Sequence, residues 1–338
     1  MTKQFLLFIL LSYVPIFGFS QIDDTTFQDI DEVVISSKRK KKIVFEDPKY
    51  YIVDFSITEN NAFLLMKNLG RYYIYELDEN MQFRHKLRIK MNANSLFQDC
   101  FGNTHLVTRD SVYFILNDEY GLFLTESHPK KRFMNAMEKC VGKTKDKIVF
   151  ERCTDIDEYQ TFYTMDVDSA YKKIIYEIND STLAFSKRNE DKDREKSVTE
   201  IRIPRRYLLG RIQRPQKYNP LFIVDDTLYI FNHFEGRLDQ LDDKGNVTKT
   251  LHINHHKKKG WKRLVYSEMM ERQFYAVWMK NGAQHLIGLA FADDEQNFSS
   301  KITKHAYPEK VIVRNGYAYY TYKPNMDANL NKLYQQKL

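Results

Sequence analysis

Three observations in the sequence predict an all-β fold made of six similar units. Aromatic and β-branched runs recur through the 338-residue chain, which holds 23 Tyr and 23 Phe, and clusters of Asn, Asp and Gly separate them. Few long stretches show the apolar periodicity of an amphipathic helix. The runs group into units of about four strands with a period of about 35–50 residues. A lone four-stranded sheet cannot bury both faces. Six sheets packed radially bury each other and leave only short edges, the architecture of a β-propeller. The predicted fold is therefore a six-bladed β-propeller with four-stranded antiparallel blades, its ring closed by an N-terminal strand.

Residues 1–20, MTKQFLLFILLSYVPIFGFS, carry Lys3, then an apolar stretch from Phe5 to Ile16, then small residues. That is the layout of a secretory signal peptide, with cleavage expected before Gln21. The stretch is shorter than the roughly 20 residues of a membrane-spanning helix. No Cys lies near the cleavage point, which excludes a lipobox anchor. Residues 21–48 form an N-terminal segment. Its β-branched run DEVVIS, at 31–36, is the expected ring-closing strand. KRKKK at 38–42 is expected to be a solvated linker or a membrane-surface contact.

The propeller is expected over 49–338. The first unit, 49–90, has strands at 49–55, 62–67, 71–77 and 83–89, joined by ENN, NLG and DENM, which are turn compositions. The second and third units cover 95–127 and 132–178. A charged insertion at 179–218 follows. SKRNEDKDREKS within it reads as a solvated loop, and part of 199–212 is expected to supply the inner strand of the fourth blade. The fourth unit, 219–253, has strands at 227–233, 236–243 and 246–253. The fifth, 261–302, has strands at 273–279, 283–291 and 298–302. The sixth, 310–338, offers only 310–315, 317–322 and 330–336, so 31–36 is expected to pair near 330–336 as its fourth strand.

Composition narrows the function classes. An aromatic content of 14% excludes a disordered chain, and 12 Gly with 8 Pro exclude a collagen-like or linker-like one. A mean hydropathy of -0.57 excludes a polytopic membrane protein. The net charge is +7, yet an exported chain with no reader motif is not expected to bind nucleic acid. Cys100, Cys140 and Cys153 are odd in number, so at least one thiol stays outside any intrachain bridge. Disulfides are not expected to be the main staple. Cys140 and Cys153 fall at opposite ends of one predicted hairpin, which disfavours a bridge between them. No CxxC occurs, against a redox pair or a thiolate zinc site.

Two basic, aromatic-bearing segments are the candidate ligand sites. HINHHKKKGW, at 252–261, contains His255, His256, Lys257, Lys258, Lys259 and Trp261, and links the outer strand of one blade to the inner strand of the next. Arg205, Arg206, Arg211 and Arg214, with Tyr207 and Tyr218, form the second. Arg and Lys with aromatics suit an acidic ligand, such as a uronate glycan, an anionic lipid head group or an acidic protein. Adjacent His on a strand would point to opposite faces, and no third ligand is evident, so no metal and no cofactor is expected. The pairs Asp23–Asp24, Asp225–Asp226, Asp242–Asp243 and Asp293–Asp294 sit in predicted turns. No calcium loop, G-x-S-x-G, HExxH or Gly-rich phosphate loop is present.

The strand pairs YYIVDF, RYYIYELDEN, DDTLYIFNH and LDQLDDKGN resemble those of the six-bladed β-propeller proteins that Bacteroidetes secrete. The resemblance covers about 49–338. It lacks YWTD, a repeating WD and the S-x-D-x-G-x-x-W box, and it implies the fold more than any chemistry. Locally, QDIDEVVIS at 28–36 resembles the DEVVV segment of Bacteroidetes TonB-dependent receptors, which pairs as an edge strand with TonB; the resemblance implies a strand that contacts TonB or docks on an outer-membrane receptor partner. The expected function is an exported, non-catalytic binding or scaffold module at the periplasm or outer membrane. The alternative is a hydrolase or lyase for an acidic glycan, its site assembled from distant blades.

Overall fold

A computed structural model describes residues 42–153, 159–166, 171–179, 218–268, 273–289, 299–301, 305, 308–323 and 330–338. β1 (Lys42–Glu46) opens the described chain and belongs to the last sheet. The first sheet is β2 (Tyr51–Ile57), β3 (Ala62–Asn68), β4 (Arg71–Leu77) and β5 (Phe83–Ile89), in that order. The second is β6 (Ala93–Gln98), β7 (Thr104–Thr108) and β8 (Ser111–Asn117), with β9 (Leu122–Leu124) and β10 (His128–Pro129) both paired to β8. A helix, α1 (Lys130–Met137), follows. The third sheet is β11 (Cys140–Lys143), β12 (Lys147–Cys153), β13 (Tyr159–Asp166) and β14 (Lys172–Asn179).

The fourth sheet is β15 (Leu221–Val224), β16 (Thr227–Asn232), β17 (Arg237–Leu241) and β18 (Val247–His252). The fifth is β19 (Trp261–Glu268), β20 (Gln273–Lys280), β21 (Ala283–Leu289) and β22 (Ser299–Lys301). The sixth runs β23 (Lys310–Arg314), β24 (Tyr317–Thr321), β25 (Lys332–Lys337) and then β1. The fold is all-β, and every pairing is antiparallel, as expected for hairpin-linked strands. Asn281–Gly282 and Asn315–Gly316 turn their hairpins with positive φ at both residues, the geometry that Asn-Gly readily adopts.

Period-two alternation sends the side chains of one strand into two cores. In β3, Leu64 and Met66 join Phe55, Tyr319 and Leu333, between the first and sixth sheets. Phe63 and Leu65 join Leu96, Leu106 and Ile115, between the first and second. Three further clusters fill the junctions between third and fourth, fourth and fifth, and fifth and sixth sheets. Near the first strands, the Asp54 carboxylate accepts from Lys310 Nζ at 2.6 Å and from the Leu96 N–H at 2.8 Å, tying β23, β2 and β6 together.

The junction between second and third sheets differs. Among the described residues no apolar cluster spans it; a disulfide between Cys100 and Cys140 does. Nearby, Phe133 of α1 packs edge-on against Phe97 of β6. The Cys153 thiol donates to Glu151. Cys140 and Cys153 do not pair, as expected, although both lie at the open end of the β11–β12 hairpin rather than at opposite ends.

Two elements correct the sequence reading. The strand beside β25 is Lys42–Glu46, registered from Lys42↔Gln335 to Glu46↔Lys332, not 31–36. KIVFE satisfies this edge because Val44 and Phe45 pack on the first-sheet core while Glu46 pairs with Lys332 at 3.0 Å. Lys42, read as linker, therefore starts a strand. The first strand of the fourth sheet is Leu221–Val224, not part of 199–212, because Asp225–Asp226 makes the tight turn into β16. Residues 1–20, 31–36, 186–197 and 199–212 lie outside the described residues.

Candidate functional site

The site forms at one end of the fourth sheet. Antiparallel pairing brings three segments there: Tyr218 and Asn219 before β15, the turn after β16, and the link from β18 to β19. Gly236 fixes the turn to the link. It has φ +71, donates its N–H to Asn232 and accepts from the Ile253 N–H at 2.8 Å. A Cβ there would lie 3.3 Å from the Ile253 carbonyl. The link then forms a 3-10 turn over His255–Lys257, and Gly260, with φ +92, lets the chain pass the Met279 carbonyl, where a Cβ would approach to 2.7 Å.

These constraints gather His233, His255 and His256, whose ligand-capable atoms all lie within 4.8 Å of one another. His233 and His255 are 9% and 6% exposed. Their Nε2 atoms are 2.9 Å apart. The His233 Nδ1–H donates to the Tyr218 carbonyl at 2.6 Å, and its backbone N–H donates to Asn219 Oδ1 at 3.0 Å. Asn219 is held in turn by Gln160, which donates to Glu151, so the third sheet braces the site. Trp261 sits against all three rings, 4.7 Å from His233, and Tyr218 stacks on His233.

Burial sets the electrostatics. It pulls the His233 imidazole down to about 4, against the raising effect of its bond to Tyr218. His255 falls to about 3, through burial first and then the neighbouring His233, His256 and Lys258. His256 is lowered too, by burial and then Lys257. The rings are therefore neutral at pH 7. His256 Nδ1 and Trp261 Nε1 are buried with no hydrogen-bond partner among the described residues. Outside this core Lys257, Lys258, Lys259, Lys262 and Arg263 are exposed.

Of the sequence candidates, His255, His256 and Trp261 come together, and Lys257, Lys258 and Lys259 rim them. Tyr218, from the second segment, joins them; Arg205, Arg206, Arg211 and Arg214 lie outside the described residues. Two expectations are corrected. His255 and His256 stand on a 3-10 turn, not a strand, so their side chains need not point to opposite faces. The third imidazole exists: His233, missed as the last residue of DDTLYIFNH. Register could have found it, because antiparallel pairing puts the ends of β16 and β18 at the same end of a sheet.

Other polar clusters explain themselves structurally. Asp99 takes His105 Nε2 at 2.9 Å, Asn103 Nδ2 and two backbone N–H groups, closing the β6–β7 turn. Glu76 binds His85 and Asn117, joining the first sheet to the second. The rings of Tyr50, Tyr73 and Tyr75 surround Lys86 of their own sheet. Tyr176 donates to Asp239, which also takes Arg237 and Thr250.

No helix among the described residues is long and apolar enough to cross a membrane. No family model and no curated protein matches the sequence. Among solved structures, a DUF4221 family member from Bacteroides vulgatus overlaps 88% of this chain and 96% of its own, at 10% identity and a TM-score of 0.44. A Bacteroides fragilis protein described as a candidate for export covers 88% and 94%, at 7% identity and a TM-score of 0.42. The calcium-binding protein regucalcin of Agrobacterium tumefaciens covers 88% and 93%, at 9% identity and a TM-score of 0.36. Overlaps this loose carry no argument about chemistry, and the site stands on its own geometry.

Proposed function

We propose that the chain is an exported, non-catalytic six-bladed β-propeller that binds an acidic ligand through the β18–β19 link. The ring reading is supported by the order of junctions: each sheet packs on the next through an apolar core or the disulfide, and β1 joins the last sheet beside the first. The export reading is supported by residues 1–20. One observation carries the ligand reading. Lys257, Lys258, Lys259, Lys262 and Arg263 are exposed around Trp261, and among the described residues no carboxylate pairs with Lys257, Lys258 or Lys259. Each exposed contact is weak alone, but several aimed at one polyanion add and respond to salt.

The ligand class is an acidic glycan, with an anionic lipid surface as the second arm of the test. A glycan hydrolase would need paired carboxylates at the cluster; the described His–carboxylate pairs, His85–Glu76 and His105–Asp99, serve other sheets. Binding to polygalacturonate and to phosphatidylglycerol vesicles at low ionic strength tests the reading. Association should fade as salt rises and vanish in Lys257→Glu/Lys258→Glu/Lys259→Glu. Equal binding by parent and triple variant overturns it. The N-terminus of the cell-produced protein, read by mass spectrometry, tests export: Gln21 supports it, and intact Met1 in the cytosol overturns it.

A further inference from the structure

We propose that His233, His255 and His256 form a binding site for one divalent transition-metal ion of the zinc type, held by three imidazoles with a coordination position left for an outside ligand. Two separate chain segments converge to make it. The turn after β16 supplies His233, the β18–β19 link supplies the other two, and Gly236 locks turn to link.

The distances suit an ion. Metal–nitrogen bonds of about 2.0–2.1 Å place neighbouring ligand nitrogens roughly 3 Å apart. His233 Nε2 and His255 Nε2 are already 2.9 Å apart, and the third donor lies within 4.8 Å. The tautomer is right as well. Because His233 gives its Nδ1–H to the Tyr218 carbonyl, its Nε2 carries the lone pair, which accepts from the His255 Nε2–H; a bound ion would take the place of that proton. A backbone carbonyl on the far nitrogen is the usual brace of a metal-bound imidazole. Asn219 and Gln160 then hold that carbonyl's segment in place.

A purely structural histidine cluster leaves something unaccounted for. His256 Nδ1 is buried without a partner among the described residues, a cost that a metal bond made at that nitrogen would remove. The Trp261 indole N–H is buried beside the rings and likewise without a partner, available to a water or anion on the ion. An all-nitrogen donor set selects zinc, cobalt, nickel or copper over calcium and magnesium, which take oxygen ligands.

This inference does not rest on the polyanion reading, and its test contains neither glycan nor lipid. The purified, chelator-stripped protein is titrated with Zn²⁺ against a chromophoric chelator. Co²⁺ is added separately and its visible d–d absorption recorded. One Zn²⁺ per chain, a Co²⁺ spectrum of four-coordinate intensity and a higher Tm with Zn²⁺ are expected. His256→Ala should weaken binding about a hundredfold while the metal-free Tm stays near the parent's, since this ring is only half-buried. His233→Gln and His255→Gln should do the same if they fold. His128→Ala, an exposed histidine on the second sheet, should change nothing. Substoichiometric Zn²⁺ binding, or binding that His256→Ala leaves intact, overturns the proposal.

Discussion

The first and third sheets have the same four-strand topology and are held in opposite ways. In the first, β3 is buried from Ala62 to Met66, and its alternating side chains feed two cores. In the third, among the described residues, only one face, through Val149, Phe162 and Ile178, joins a shared core. Its outer strand leaves Ile174 59% exposed, and the stacked pair Phe150–Tyr163 is half-buried on the other face. The disulfide from Cys100 to Cys140 stands where the second core is missing. A sheet with apolar residues on both faces is secured by its neighbours. A sheet with one apolar face needs another tether, and this chain supplies a covalent one.

Mutations that remove each kind of support should separate the two regions. Leu65→Ala in the first sheet should have the largest effect, a loss of about 3–5 kcal/mol by denaturant unfolding, because Leu65 is fully buried. Ile148→Ala in the third, at a half-buried position, should cost roughly 1 kcal/mol. Equal losses would break the comparison. Next in size is the tether. Cys100→Ala/Cys140→Ala should cost about 2–4 kcal/mol, as expected for a bridge that closes a 40-residue loop. A reductant should lower the Tm of the parent and leave the double variant unchanged.

Truncation through Glu46 comes third. It strips β1 from β25, exposes a sheet edge and uncovers the core that Val44 and Phe45 pack against, so the Tm should fall by several degrees. An unaltered Tm would mean that β1 closes nothing. The smallest effect is a pH dependence beside the tether. Burial alone would raise the Asp99 carboxyl, but donors from His105, Asn103 and the Phe101 backbone outweigh it and hold the group below its ordinary value. The unfolded chain therefore takes up this proton first. The stability it contributes is full above about pH 4 and declines as pH falls further. Asp99→Asn should flatten that decline; an unchanged acid profile would assign the acid sensitivity to other groups.

Legibility in the sequence followed the range of the interaction. Hairpins written within a dozen residues were readable: β4 and β5 match 71–77 and 83–89, and the fourth, fifth and sixth units match to within a few residues. What depends on distant partners was not. KIVFE follows a lysine run and reads as linker until β25 is placed beside it. Cys100 and Cys140 are 40 residues apart, on separate sheets, and nothing local pairs them. α1 is a short helix with no buried residue, too weakly patterned to register. For the site, the basic link and Trp261 were visible as composition. His233 was hidden because its role arises from sheet register.

The pairing of Lys42–Glu46 with Lys332–Lys337 also sets a timetable. Among the earliest described residues, β1 is a strand whose partner emerges only after five other sheets have been synthesised. Until then the first sheet presents Leu64 and Met66 to solvent on the side that Tyr319 and Leu333 will cover. A chain that lacks β25 thus carries an uncovered apolar face, and the sixth sheet stays incomplete until that strand arrives. Completion of this fold waits on β25, so a chain cut before Lys332 would be left with a sticky uncovered face instead of being a shorter version of the protein.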